Sequence, residues 1–180
     1  RLRLEMNTDA GSEFGYTQIA EMIKQQWKDI GIDLEVKELE RSLNLTRNNN
    51  DENQLTVGGG DGTEMIFLFA RKALPVDTGE SNMGMAYARW YASNGEQGTK
   101  PEDPEMVRAM ELFRKAFGLK EKEQIETAQE IWRIIADQQW SIGTVGQSPA
   151  FKGVRIVSNK MGNIPARLLN AQHGRTPASS

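Results

Sequence analysis

An α/β fold is predicted by two features of the 180-residue chain. Its first forty residues run through a period-two apolar pattern, a helical stripe and a second period-two pattern. Its middle carries two long amphipathic helical patterns, with glycine-rich connections among the shorter segments before them.

The elements follow in order. Leu2, Leu4 and Met6 alternate with Arg1, Arg3 and Glu5, the signature of a strand with one apolar face. Residues 11–15 read as a loop. Ile19, Ile23, Trp27 and Ile30 then recur at helical spacing, with Glu21, Lys24, Gln25, Lys28 and Asp29 on the opposite face. Gly31 ends that helix, because glycine enters the left-handed region without a steric penalty. Ile32, Leu34 and Val36 alternate with Asp33, Glu35 and Lys37 as a second strand. Two strands joined by a helix of this length predict a right-handed parallel βαβ unit.

Residues 40–53 read as a short helix running into a polar loop, because the run Asn48, Asn49, Asn50 cannot support a core. Residues 54–57 form a third strand, ended by Gly58, Gly59 and Gly60. The apolar run 65–70 fits a buried strand or a buried helix, and periodicity does not choose between them. Residues 75–84 are loop-like, 85–91 make a helical turn or two, and 93–103 form a connection. Asp103 caps the next helix, Pro104 suits its first position and Glu105 complements its dipole. Its stripe is Met106, Met110, Phe113 and Phe117, with Gly118 as the stop. Ile125, Ala128, Trp132 and Ile135 make a second stripe within residues 121–139. The pair is expected to pack antiparallel across a short turn. Residues 142–145 and 154–157 read as short strands separated by Pro149, and residues 161–180 as a weakly patterned tail.

Composition removes whole classes of function. The chain has 22 basic and 25 acidic residues, well mixed, for a net charge of -3. Nothing there points to nucleic acid or an anionic membrane as partner. There is no cysteine, so disulfides, thiolate catalysis and cysteine-bound metals are excluded. With the single histidine, His173, in the tail, the usual zinc sites are excluded as well, and no metal or cofactor is expected. A serine triad would have to use His173, and no G-x-S-x-G elbow accompanies it, so no catalytic residue is assigned. The longest apolar run, residues 65–70, is too short to span a bilayer. No signal peptide is visible. Arg1 is not an initiator, and a strand with no preceding turn suggests that the sequence begins mid-protein.

The candidate binding residues cluster around two loops. Gly58, Gly59, Gly60, Asp61 and Gly62 follow the third strand. They lack the Lys-Ser or Lys-Thr of a phosphate-binding loop and the spacing of a dinucleotide fingerprint. They read either as a tight turn or as backbone brought close to a ligand at the carboxyl end of a strand, where α/β sheets bind solutes. Trp27 and Trp132 lie on helical stripes and read as core. Trp90, between Arg89 and Tyr91, reads either as a ligand-stacking ring or as a hydrophobic anchor for the following loop. Trp140 begins the next strand. Met83 and Met85 flank Gly84 in a loop and suit an adaptable pocket, whereas the other methionines read mostly as core.

Three stretches carry a family resemblance. YTQIAEMIKQQWKDIGIDLEVKELE (residues 16–40) resembles the strand-leading helix of family 5 extracellular solute-binding proteins, the peptide and oligosaccharide receptors of ABC importers. ARWYASNGEQGTKPEDP (residues 88–104) resembles the Trp-rich turn of one branch of that family. WSIGTVGQSPAFKGVRIVSNKMGNIPAR (residues 140–167) resembles the segment by which the chain leaves the second lobe and returns to the first.

The resemblance implies a periplasmic-binding-protein-like type II lobe, with a mixed sheet flanked by helices. Residues 1–160 would form the second, C-terminal ligand-binding lobe, and residues 161–180 the return segment toward a first lobe outside this sequence. It implies a transport role without catalysis. A small-molecule solute, peptide or oligosaccharide, would be bound between the lobes, and an ABC permease would be the membrane partner. The location would be periplasmic or extracellular, with lipid anchoring through a preceding segment left open. Many relatives place an aspartate after the third strand that pairs with the ligand's α-amino group, and Asp61 sits near that position. The family's aromatic-rich strand end and Asp-Pro step are not reproduced. The expected binding set is Gly59, Gly60, Asp61, Gly62, Met83, Arg89 and Trp90. Two alternatives are a hydrolase or transferase on another α/β domain, and a sensory ligand-binding module.

Overall fold

The computed structural model describes residues 2–11, 15–59 and 66–143. Its N-terminal half is a three-stranded sheet in the order β2-β1-β3, built from β1 (Leu2–Asp9), β2 (Ile32–Leu39) and β3 (Leu55–Thr56). Both ladders are parallel, with Leu4 opposite Leu34 and Met6 opposite Val36 on one side and Leu55 on the other. The expected βαβ unit is therefore present, with α1 (Tyr16–Asp29) as its helix.

The alternation read from β1 and β2 divides the sheet into two unlike faces. On the first, Met6 and Leu34 are buried with Ala20 of α1, and Leu4, Val36, Ile23, Trp27, Leu55 and Val57 pack around them. Ile30, expected on the α1 stripe, is 72% exposed because it falls at the cap, past the last helical turn. The second face is polar, which is unusual for a parallel sheet. Glu5 is bonded to Lys37 of β2 and lies 2.7 Å from Arg47 of α2 (Arg41–Asn49). Beside that ionic hub runs an amide ladder. Asn7 Nδ2 donates to Asn53 Oδ1 (2.6 Å), Asn53 Nδ2 to Asn44 Oδ1 (3.1 Å) and Asn44 Nδ2 to Asp9 Oδ1 (2.7 Å). Asn44 and Asn53, on either side of the Asn48–Asn50 run, thus fasten α2 and the following loop to the sheet.

Lys37, more than the nearby Arg47, holds the Glu5 carboxyl below the usual glutamate range. A depressed pKa contributes stability that is complete above the unfolded-state value of about 4.3 and is lost as pH falls through the folded-state value. Glu5→Gln is therefore expected to flatten the acid limb of the stability profile below about pH 4.3, as measured by urea melts at stepped pH.

The second core lies in the C-terminal half. It gathers Ile66, a 3₁₀ turn at Ala70–Lys72, α4 (Pro104–Ala116) and α5 (Glu121–Gln138). Leu74, Met110 and Ile131 are fully buried there. Of the apolar run 65–70, residues 66–70 are thus neither strand nor α-helix, and Met65 lies outside the described residues. The described part enters as a turn whose side chains, Ile66 and Phe67, reach the core. α3 (Met85–Ala92) leans Tyr87, Trp90 and Tyr91 against the same cluster.

Asp103 caps α4 as expected, accepting from the Glu105 amide at 2.9 Å. Its other oxygen accepts the Trp140 indole N–H at 3.0 Å. Trp140 is therefore not on a strand: it folds back from the end of α5 onto the start of α4. Ile142 and Gly143 have no regular structure, and the rest of the expected strands, with the tail, lie outside the described residues. Asp103→Ala removes a cap and orphans an indole. A loss of about 1–2 kcal/mol is expected in a urea melt followed by tryptophan fluorescence.

Two expected core positions face out. Phe117 is 61% exposed and Ile125 53%. The buried stripes are Met106, Ala109, Met110, Phe113 and Ala116 on α4, and Ile131, Ile134 and Ile135 on α5.

Candidate ligand-binding groove

β3 is an edge strand of only two residues, and its outer side is open among the described residues. The Val57 amide donates to Asn7 O at 3.2 Å. In a parallel ladder alternate residues bond to the same neighbour, so Thr56 turns its own N–H and C=O to the outer edge. Two residues before Thr56 the ladder is continued by a side chain, because Glu5 N–H donates to Gln54 Oε1 at 2.7 Å.

Along that edge lies a groove of about 360 Å³. Gln54, Leu55 and Thr56 form one wall, and Asn82, Met83, Gly84 and Tyr87 form another. Asn48, Asn53 and Thr99 line it as well. Gly84 has φ +56°, and a Cβ there would stand 2.6 Å from the Tyr87 ring, so only glycine lets the ring pack at that corner. Gly58 comes near the facing wall: a Cβ on it would stand 3.9 Å from Asn82 Nδ2.

Among the described residues that line it, the groove carries no free formal charge. Its one carboxylate, Asp51, is occupied at both oxygens. Oδ1 accepts from the Ala86 amide at 3.2 Å and Oδ2 from Arg89 Nη2 at 2.6 Å. Arg89 also donates to Asn49 O at 2.9 Å, and so rivets α3 to the end of α2.

Of the residues expected to bind ligand, Met83 lines the groove. Gly59 follows β3 at the carboxyl end of the strand. Gly60, Asp61 and Gly62 lie outside the described residues. Arg89 and Trp90 stand behind the groove and not on its lining: Arg89 is engaged as above, and Trp90 packs on the C-terminal core. Gln54, Asn82 and Thr99 were missed by sequence reasoning. Single amides and hydroxyls in loops carry no periodicity, and only the fold brings these three together. Among the described residues no cluster of three metal-ligating side chains exists, and no helix is long and apolar enough to cross a membrane.

A parallel sheet with helices packed on it, an open edge and a polar groove beside that edge fit an α/β fold of the periplasmic-binding-protein-like kind. Among solved structures, the chain is similar to the oligopeptide-binding protein OppA, with a TM-score of 0.58 and 21% sequence identity. The match covers 74% of this chain and 23% of that one, so the chain spans less than a quarter of OppA's length. Neither a family model nor a curated protein matches the chain.

Proposed function

We propose that this chain is the second ligand-binding lobe of a two-lobed extracellular solute-binding protein that delivers peptides, or oligosaccharides, to an ABC importer. The observation that carries the reading is the OppA-like fold combined with a groove along the free edge of β3. An extended solute laid in that groove would meet the outward N–H and C=O of Thr56, with Met83 and the Tyr87 ring beside it. The loop from Gly59 through Asp61 and Gly62 would stand at the strand's carboxyl end, where its backbone can approach the solute. Arg89 and Trp90 would hold the groove's floor in place.

In this reading residues 1–160 belong to the lobe, and residues 161–180 return toward the first lobe. Function is grip and release, with no bond made or broken. A solute favours the closed form only by the extra contacts it makes there, and closure strengthens those contacts by excluding water. The permease would recognise the closed form, outside the cytoplasm. Calorimetric titration of the intact protein with a panel of short peptides and oligosaccharides tests the proposal. Saturable binding of one class is expected, and heat from neither class would contradict it.

A further inference from the structure

Three amides in the groove are each pinned at one end, and the pinning decides what the other end offers. Gln54 Oε1 is taken by the Glu5 amide at 2.7 Å, which leaves its Nε2 as a donor. Asn82 Oδ1 is taken by Lys72 Nζ at 3.1 Å, which leaves its Nδ2 as a donor. Asn48 Nδ2 is spent on Ser81 O at 2.7 Å, which leaves its Oδ1 as an acceptor. A carboxamide has one accepting and one donating end, so none of the three can turn over without losing its internal bond. The remaining ends have no partner among the described residues, and all three side chains line the groove. Asp51 adds no charge, being held by Arg89 and the Ala86 amide. Two cations touch lining residues without being on the lining themselves, and both are engaged: Arg89 with Asp51, and Lys72 with Asn82.

From this arrangement we infer that the groove selects an uncharged group able to donate and accept at once, a carboxamide or a hydroxyl. A carboxylate only accepts, so it would satisfy Gln54 and Asn82 but confront the Asn48 oxygen. An ammonium only donates, so it would satisfy Asn48 but confront the two NH₂ groups. Each mismatch strands a desolvated polar group, at a cost that converts to about tenfold in affinity. The inference rests on the solute-binding reading above and names what this part of the site takes.

The test uses the intact protein and three tripeptides, Ala-Gln-Ala, Ala-Glu-Ala and Ala-Lys-Ala, with cellotriose as the hydroxyl source. Binding of Ala-Gln-Ala about tenfold tighter than its charged counterparts supports the inference with a carboxamide as the group. Binding of cellotriose with no peptide binding supports it with hydroxyls. Equal affinities for the three peptides would overturn the inference and leave the solute-binding reading standing. Absence of binding to all four would overturn both. Asn82→Asp supplies the second arm. It keeps the bond from Lys72 and the shape of the side chain, but replaces the free NH₂ with a carboxylate oxygen. Preference is expected to move from Ala-Gln-Ala toward Ala-Lys-Ala by several-fold. An unchanged ratio in this variant would overturn the assignment of Asn82.

Discussion

Gly98→Ala is expected to destabilise the chain by about 2–4 kcal/mol and to distort the groove at the same time. Gly98 has φ +77°, where a side chain is already strained. Its Cβ would fall 2.2 Å from Ala86 O and 2.6 Å from Trp90 N. Both are backbone atoms of α3, so neither can swing aside. The clash also separates the Thr99 amide from Ala86 O, now bonded at 3.0 Å, and Thr99 is on the groove lining. Gly11 is the control. Its φ is +69°, but nothing lies within 4 Å of its Cβ position. Gly11→Ala should therefore cost only the left-handed strain, about 1–2 kcal/mol. Urea melts of the two variants measure the difference, and equal losses would mean that the close approach at Gly98 is wrong.

The second large effect lies on α5. Ile131→Ala removes a fully buried side chain from the C-terminal core, with an expected loss of about 2–5 kcal/mol. Ile125→Ala, on the same helix, should change stability by about 0.5 kcal/mol or less, because Ile125 is mostly exposed. The pair separates two accounts of the helix. The spacing of Ile125, Ala128, Trp132 and Ile135 predicts a stripe running through Ile125. The packed face is instead centred on Ile131, Ile134 and Ile135. Similar losses at both positions would favour the stripe read from the sequence.

That difference illustrates where sequence patterns stop. In β1 and β2 the alternation is strict, one face is polar, and a single residue of slip would bury Glu5 and Lys37 in place of Met6 and Val36. Register and partner were therefore legible, and so was α1 between them. The Asp103-Pro104-Glu105 start of α4 was legible for the same kind of reason, since each residue type suits only that place. Phe117 and Ile125 misled because spacing does not say which edge of an apolar stripe meets a neighbour: among the described rings Phe117 reaches only those of Phe67 and Phe113, and Ile125 falls on the solvent side of α5. Trp140 misled because an indole followed by Ser141 and Ile142 resembles a strand start, while its N–H is committed to Asp103, 37 residues earlier.

The groove was legible only in part. Met83 stood out as an apolar residue in a loop, and the glycines after β3 marked a strand end. Arg89 and Trp90 stood out for the same chemical reasons, but the fold uses Arg89 to rivet α2 to α3 and Trp90 to pack the core behind the groove. The residues that set the groove's hydrogen-bonding pattern are ordinary amides. Their meaning comes from the partners that fix them, Glu5 N–H, Lys72 and the Ser81 carbonyl, which are 49, 10 and 33 residues away in sequence.

Hydrogen exchange of the intact protein, with and without a bound solute identified by titration, tests the central claim most directly. The account predicts that solute slows exchange of the Thr56 amide and of neighbouring amides along the groove at Asn82, Met83 and Thr99, while those buried in α4 are unchanged. Protection confined to other surfaces, with the β3 edge exchanging at the same rate in both states, would contradict it.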